Sequence, residues 1–186
     1  RLTHPEEPAL LEWLSERDEF NPTTVPVWLD DSVLAFCARW AKENRGIVWT
    51  EHVHFAERLA RNYGFSYYGR EGLNSDGRYI EEHPAGVPLV ASIQSNSEGR
   101  NLQYRWSKAL LTSCPANGIQ MEQVLGRLHR EGQEADEVEV DVLMLCAEHV
   151  GAFWQAVSDA RLVEQLTGAP QKLLLTGLNV MSADEL

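Results

Sequence analysis

The chain has 186 residues, of which 44% are hydrophobic, and its formal net charge at pH 7 is −12. This length and composition fit one globular domain with a buried core. The negative charge argues against a general nucleic-acid-binding protein, whose surface is usually basic, and the chain has no apolar run of the roughly 18 residues that a membrane span needs, so no membrane is expected among its partners.

The predicted elements begin with a segment unlike the rest of the chain. Residues 1–30 are rich in proline and acidic side chains, and they predict a connector or a docked extension with one short helix at residues 9–17. From residue 31 onward, apolar runs typical of strands alternate with segments of helical periodicity. Strands are predicted at residues 46–50, 65–68, 88–93, 108–112 and 138–145, and helices at residues 32–44, 52–62, 75–83, 119–129 and 149–166. Residues 168–186 are predicted as a C-terminal tail.

This alternation of strands and helices predicts an α/β domain over residues 31–167, with a mostly parallel central sheet. Parallel sheets of this kind bind ligands at the carboxyl ends of their strands. We therefore expect the loop after residue 93 and the helix at residues 119–129 to reach that edge of the sheet.

The three cysteines, Cys37, Cys114 and Cys146, lie far apart and include no Cys-x-x-Cys pair. Neither a zinc site nor a disulfide framework is expected from such spacing. His52 and His54 lack a third close ligand, so no metal site is predicted there either. Buried, reduced thiols indicate an intracellular protein of the cytoplasm, the nucleoid or the nucleus.

The helix at residues 119–129 and the residues that follow it carry the most informative pattern of the chain. Gln123, Arg127 and Arg130 stand at positions i, i+4 and i+7, which share one face of a helix. Two guanidinium groups side by side form a clamp for phosphate, because each stays charged and bonds oxygen atoms in pairs. The alternative interpretation is an ordinary solvated face, which is what most pairs of helical arginines are.

A second candidate is the polar loop after the strand at residues 88–93. Gly99 allows close approach of a backbone, and three neutral side chains offer hydrogen bonds to phosphate oxygens: Ser95, Asn101 and Gln103. The alternative is an ordinary polar loop between a strand and a helix.

The order of these features resembles the second RecA-like lobe of superfamily 2 helicases and translocases, and it is most similar to the Swi/Snf-type DNA-dependent ATPases. Residues 46–52 resemble motif IV, residues 90–103 resemble motif V, and residues 123–133, ending in Gly132-Gln133, resemble motif VI. The motif V match departs from the family in two ways. A glycine expected before Gly99 is absent, with Ser97 near its place, and Glu98 would repel phosphate if it pointed inward.

The resemblance implies a three-layer RecA-like lobe and a set of site residues. Arg127 and Arg130 would be catalytic arginine fingers that meet the γ-phosphate of ATP, which is bound with Mg²⁺ mainly by an N-terminal helicase lobe. Gln123 and Gly99 would join them in binding the nucleotide. The residues implied to contact the backbone of DNA, most readily duplex DNA, are Ser95, Gly99, Asn101 and Gln103.

The phosphate-binding loop and the magnesium-holding box of such enzymes are both missing from the sequence. The chain alone is therefore expected not to hydrolyse ATP, and a nucleotide-binding domain complete in itself is disfavoured. The alternative function is a degenerate RecA-like lobe that acts as a protein-interaction module, which the net charge and Glu98 favour.

Overall fold

The computed structural model describes residues 8–17, 19, 25–97 and 99–182, so Glu98 lies outside the described residues. The helices are α1 (Pro8–Glu16), α2 (Ser32–Asn44), α3 (Val53–Tyr63), α4 (Ile93–Asn96), α5 (Gly118–Leu128), α6 (Ala147–Thr167) and α7 (Lys172–Leu175). The strands are β1 (Ile47–Thr50), β2 (Ser66–Tyr68), β3 (Leu89–Ser92), β4 (Lys108–Leu111), β5 (Glu139–Met144) and β6 (Asn179–Ser182).

The six strands form one sheet in the order β2-β3-β1-β4-β5-β6, and every neighbouring pair is parallel. β1 is central, with Ile47 beside Leu89 of β3 on one side and beside Ala109 of β4 on the other. Helices cover both faces of the sheet. The fold class predicted from the sequence is confirmed: the described chain is a three-layer α/β domain of the RecA-like kind, and its sheet is entirely parallel.

Side chains that alternate along β1 divide the core into two layers. Val48 belongs to the cluster that includes Leu34 of α2 and Leu59 of α3, whereas Trp49 belongs to the cluster that includes Met121 of α5 and residues of α6. All four residues of β1 are buried. A strand covered on both faces needs apolar side chains at successive positions, which is why β1 appears in the sequence as a continuous apolar run.

The connection between β2 and β3 differs from the prediction. A helix predicted at residues 75–83 is wrong, because the segment consists of turns with a single 3-10 turn at Ile80–Glu82. The side-chain oxygen of Asn74 accepts hydrogen bonds from the backbone N–H groups of Asp76, at 3.0 Å, and Arg78, at 2.9 Å. Such local bonds compete with a helix for the same backbone donors.

The segment after α6 also differs from the predicted tail. Gly168 ends α6 in the left-handed conformation, with φ of 70°, and the chain then forms α7 and the sixth strand. β6 pairs with β5, placing Val180 beside Val142. The sheet therefore continues beyond residue 167, through Ser182.

Candidate functional site

The local sequence explains where α5 begins and which face it buries. Asn117 caps the helix, and its side-chain oxygen accepts from the N–H groups of Ile119, at 2.9 Å, and Gln120, at 3.4 Å. Four apolar residues of α5 are buried in the core at helical spacing: Met121, Val124, Leu125 and Leu128. Ile119, in the first turn, is exposed. Gln123, Arg127 and Arg130 lie outside this buried stripe.

Arg127 joins α5 to the loop that precedes β4. Its Nε donates to the carbonyl oxygen of Gln123 at 3.1 Å, and its Nη1 donates to the carbonyl oxygen of Arg100 at 2.9 Å. Arg127 and Gln123 are both half-buried. The first bond holds the guanidinium along its own helix, and the second fixes the loop against it.

Arg130 lies just beyond the end of α5 and contacts the neighbouring residue of the same loop. Its Nη1 donates to the side-chain oxygen of Asn101 at 2.9 Å. Both residues are exposed. The structure therefore brings the two arginines of the predicted clamp together with Asn101, at one place on the surface.

Two glutamines connect the segments on either side of this place. Gln103, which is buried, donates from Nε2 to the carbonyl oxygen of Glu131 at 3.3 Å. Gln133 donates from Nε2 to the carbonyl oxygens of Trp106 at 3.0 Å and Leu128 at 3.2 Å. The turn after α5 is thus bonded repeatedly to the loop before β4.

The loop after residue 93 and the helix α5 both begin at the carboxyl ends of strands, as expected, but the arginine cluster does not lie there. The loop of residues 99–107 leads into the start of β4, and α5 ends before the start of β5. Because α5 runs back against the direction of the strands, its last turn lies toward their amino ends. Arg127, Arg130 and Asn101 accordingly lie toward the amino edge of the sheet.

Ser95 is not part of this cluster. It lies on α4, directly after the carboxyl end of β3, and is half-buried. Gly99 is exposed and has a φ of 67°, in the left-handed region that favours glycine. The four residues predicted to contact nucleic acid therefore do not lie together. Ser95 lies at the carboxyl end of β3, whereas Asn101 and Gln103 lie beside the arginines.

Sequence reasoning missed the importance of Asn96, which is fully buried beside Ser97. Its Nδ2 donates to the carbonyl oxygens of Tyr68 at 2.9 Å and Ser92 at 3.1 Å. The amide thus ties the carboxyl ends of β2 and β3 together. No pattern in the sequence indicates this role of Asn96.

Arg100, to which the sequence analysis gave no role, anchors the loop. Its Nη1 lies 3.2 Å from Oε2 of Glu81, its Nη2 donates to the carbonyl oxygen of Glu71 at 3.1 Å, and its guanidinium lies 5.1 Å from the ring centre of Tyr79. These contacts hold the loop backbone whose carbonyl group receives Arg127.

A cleft of about 800 Å³ adjoins Arg130, and several of its lining residues are acidic. Asp136, Glu137 and Glu139 line it, together with Lys172. Lys172 is bonded to Glu122 at 3.0 Å, and Glu139 is bonded to Lys108 at 2.8 Å. Arg130 thus lies between the cluster that it forms with Arg127 and Asn101 and a cleft lined by acidic residues.

The donor groups at this site fit the charge of a phosphate but do not form a magnesium site. Guanidinium groups bond phosphate oxygens well, whereas Mg²⁺ requires oxygen ligands such as carboxylates. Within the described ranges, no group of three or more His, Cys, Asp or Glu side chains could hold a metal ion. A triphosphate at Arg127 and Arg130 would therefore need its Mg²⁺ from elsewhere.

Comparison with known proteins supports the architecture. No family model matches the chain. A crystal structure of the C-terminal part of the Fun30 ATPase domain is similar over 81% of this chain, with a TM-score of 0.50 and 11% sequence identity. The chain spans about half, 51%, of the length of that structure. At this identity the similarity establishes a shared fold. In the part of the chain that the structure describes, no helix is long and apolar enough to cross a membrane.

Proposed function

We propose that the chain is the C-terminal lobe of a Swi/Snf-like, ATP-dependent DNA translocase or helicase. The observation that carries the proposal is the pair of hydrogen bonds from Arg127 to Arg100 and from Arg130 to Asn101, each 2.9 Å long. They join the segment that resembles motif VI to the segment that resembles motif V. The shared fold of the Fun30 ATPase fragment is the second support.

In this proposal the arginines act on a nucleotide that an N-terminal lobe holds. Phosphoryl transfer needs positive charge placed against the oxygens of the transferred group, and an arginine finger is worth on the order of 10³-fold or more in rate. Exposed Arg130 would meet the phosphate directly. Arg127 would do so from the adjacent turn, with Gln123 beside it. ATP and Mg²⁺, bound by the N-terminal lobe, would supply the reacting phosphate and its counter-charge.

The proposed DNA contacts differ between the start of the loop and the part of it beside the arginines. Ser95, on α4, would contact the phosphate backbone, and Gly99 would let that backbone approach closely. Asn101 and Gln103 would respond to bound DNA and transmit its presence, because they bond to Arg130 and to the turn that follows it. This arrangement would couple DNA binding to the position of the arginines.

The test is ATP hydrolysis by the full-length protein that carries this lobe. Arg127→Ala and Arg130→Ala should each lower DNA-stimulated turnover by about 10³-fold, while Arg61→Ala, at an exposed position of α3, should leave it unchanged. Circular dichroism would verify that each variant is folded. Turnover near that of the wild type in both variants would overturn the proposal.

The isolated chain provides a second test. It should bind ATP very weakly and should not hydrolyse it, because its sequence lacks a phosphate-binding loop. Isothermal titration calorimetry with ATP and a DNA-stimulated phosphate-release assay measure both properties. Turnover by the isolated chain would contradict its assignment as a second lobe.

A different function, a protein-interaction module built on a degenerate lobe, is favoured by the acidic cleft beside Arg130. Carboxylates at Asp136 and Glu137 would oppose a phosphate close by. The two functions differ in the salt dependence of DNA binding, because neutralised phosphates release counterions. An affinity that falls steeply as salt rises supports the translocase, and weak binding without that dependence supports the module.

A further inference from the structure

The opposite edge of the sheet from the arginines holds a separate crevice of about 240 Å³. Its lining comes from the residues just beyond three neighbouring strands, from the segment before α2 and from the first turns of α2, α3 and α6. It includes Trp28, His52, Phe55, Thr112, Leu145 and His149. His52 follows β1, Thr112 follows β4 and Leu145 follows β5. The crevice therefore lies at the carboxyl ends of the central strands.

This place is the topological switch point of the sheet. The chain passes from β1 to β2 and β3 on one side, and from β4 to β5 and β6 on the other. Because the connections from the central strands run to opposite sides, a crevice opens between those strands. Open α/β sheets bind ligands in such a crevice. The crevice is smaller than the roughly 300–1,000 Å³ of sites for drug-sized ligands, so it suits a single small ring system.

The aromatic wall of the crevice is fixed in place. The guanidinium carbon of Arg58 lies 4.3 Å from the ring centre of Trp28, and Arg58 in turn bonds both carboxylate oxygens of Asp31, at 2.7 and 3.0 Å. Phe55 lines the same space. Rigid aromatic side chains of this kind are the usual surfaces on which nucleobases stack.

Polar groups of the lining offer hydrogen bonds to the heteroatoms of a ligand. Thr112 is only 7% exposed, and within the described residues its hydroxyl has no hydrogen-bond partner. Leaving such a hydroxyl unpaired costs free energy that a ligand heteroatom would recover. His52 and His149 add ring nitrogens, and Nδ1 of His149 already accepts from the N–H of Leu145 at 3.4 Å.

The lining is unsuited to a charged phosphate. It includes the carboxylate of Asp30 and, among the described residues that line it, neither lysine nor arginine. The guanidinium nearest to the aromatic wall, that of Arg58, is bonded to Asp31. The recognised group should consequently be planar, polar at its edge and uncharged.

We propose that this crevice binds one nucleobase, stacked near Trp28 and hydrogen-bonded to Thr112. The proposal is independent of the arginine cluster and of ATP hydrolysis. A base can come from a free nucleoside or from an unpaired nucleotide of a nucleic-acid strand. The experiment separates these two sources.

The probes are adenosine, thymidine and a short single-stranded oligonucleotide, titrated into the full chain by calorimetry and by saturation-transfer NMR. Trp28→Ala should weaken binding of the nucleosides by about tenfold or more, because a stacking contact is lost. Thr112→Val, which keeps the shape but removes the hydroxyl, should weaken it by about fivefold, and Thr112→Ser should restore most of the affinity. Trp154→Ala, an exposed tryptophan on α6, is the matched control.

Nucleoside binding that depends on Trp28 and Thr112 supports the proposal, with tighter binding of the oligonucleotide identifying a strand as the source and equal or weaker binding identifying a free nucleoside. The absence of saturation transfer to all three probes at millimolar concentration overturns it. Binding that is equally strong in Trp28→Ala, Thr112→Val and Trp154→Ala overturns it as well.

Discussion

Arg127 donates a hydrogen bond from Nη1 to the carbonyl oxygen of Arg100, and this bond joins α5 to the loop before β4. Three residues later, Arg130 bonds to the side chain of Asn101. The two arginines look equivalent in the sequence, but only Arg127 is half-buried and bonded to backbone carbonyl groups. The side chain of Arg127 thus joins two backbone segments, and that of Arg130 does not.

The two arginines should therefore differ in their effect on stability. Arg127→Ala leaves the carbonyl oxygen of Arg100 without its donor and should lower the free energy of unfolding by about 1–2 kcal/mol. Arg130→Ala, at an exposed position, should change it by less than about 0.5 kcal/mol. Urea denaturation of both variants measures the difference. Equal losses would mean that Arg127 has no special part in joining the two segments.

Asn96 gives a second prediction, at the carboxyl ends of β2 and β3. Asn96→Ala removes the donor to the carbonyl oxygens of Tyr68 and Ser92 and should lower the free energy of unfolding by about 1–3 kcal/mol. Asn96→Gly should lower it further because glycine adds backbone freedom to the unfolded chain. Asn62→Ala, at an exposed position of α3, is the control, and equal stability of Asn96→Ala and Asn62→Ala would refute the structural role of the amide.

The parts of the fold that the sequence predicts well are those with strong local patterns. The strands β1, β3 and β4 are short, largely apolar runs because nearly all of their residues are buried. The helix α5 has its cap at Asn117 and an apolar stripe at helical spacing. In these segments local preference and tertiary packing agree, so the pattern alone identifies the element.

The parts that the sequence does not reveal depend on distant contacts. β6 is an edge strand whose residues are mostly exposed, so it has no apolar run, and its pairing with β5 alone makes it a strand. The amino-edge position of Arg127 follows from the direction in which α5 returns across the sheet. The anchoring of Arg100 by Glu81 joins residues 19 apart in sequence. None of these relationships leaves a periodic signal.

Gly118, where α5 meets α6, provides a steric prediction. A Cβ atom at this position would lie 2.7 Å from Cβ of Asp159 and 2.8 Å from the carbonyl oxygen of Ala156. Gly118→Ala should therefore force the helices apart and lower the free energy of unfolding by about 1–3 kcal/mol. Thermal unfolding followed by circular dichroism measures this change.

Gly151 is the matched control for Gly118, because it lies within α6 and a Cβ atom there would meet nothing within 4 Å. Gly151→Ala should raise the free energy of unfolding by about 0.5–1 kcal/mol, since alanine loses less backbone freedom in a helix. Opposite signs are expected for the two substitutions. A gain in stability from Gly118→Ala would show that the contact between α5 and α6 is looser than the structure indicates.

His83 makes the stability of the fold depend on pH. The ring is buried, its Nδ1 is hydrogen-bonded to the hydroxyl of Tyr68 at 3.0 Å, and it stacks on the ring of Trp106. Burial lowers the pKa of His83, and the positive charge of Arg105 lowers that pKa further. Folding therefore favours the neutral form of this histidine.

Because the pKa of His83 is lower in the folded chain than in the unfolded chain, the unfolded chain takes up the proton first as the pH falls. The stabilisation is complete above about pH 6.5, the ordinary value for histidine, and is lost as the pH falls from there toward the lowered pKa. Urea denaturation should give a smaller free energy of unfolding at pH 5.5 than at pH 7.5. His83→Gln should reduce this difference, whereas His54→Gln, at an exposed position of α3, should keep it. A pH dependence that is the same in the wild type and in His83→Gln would assign the effect to other groups.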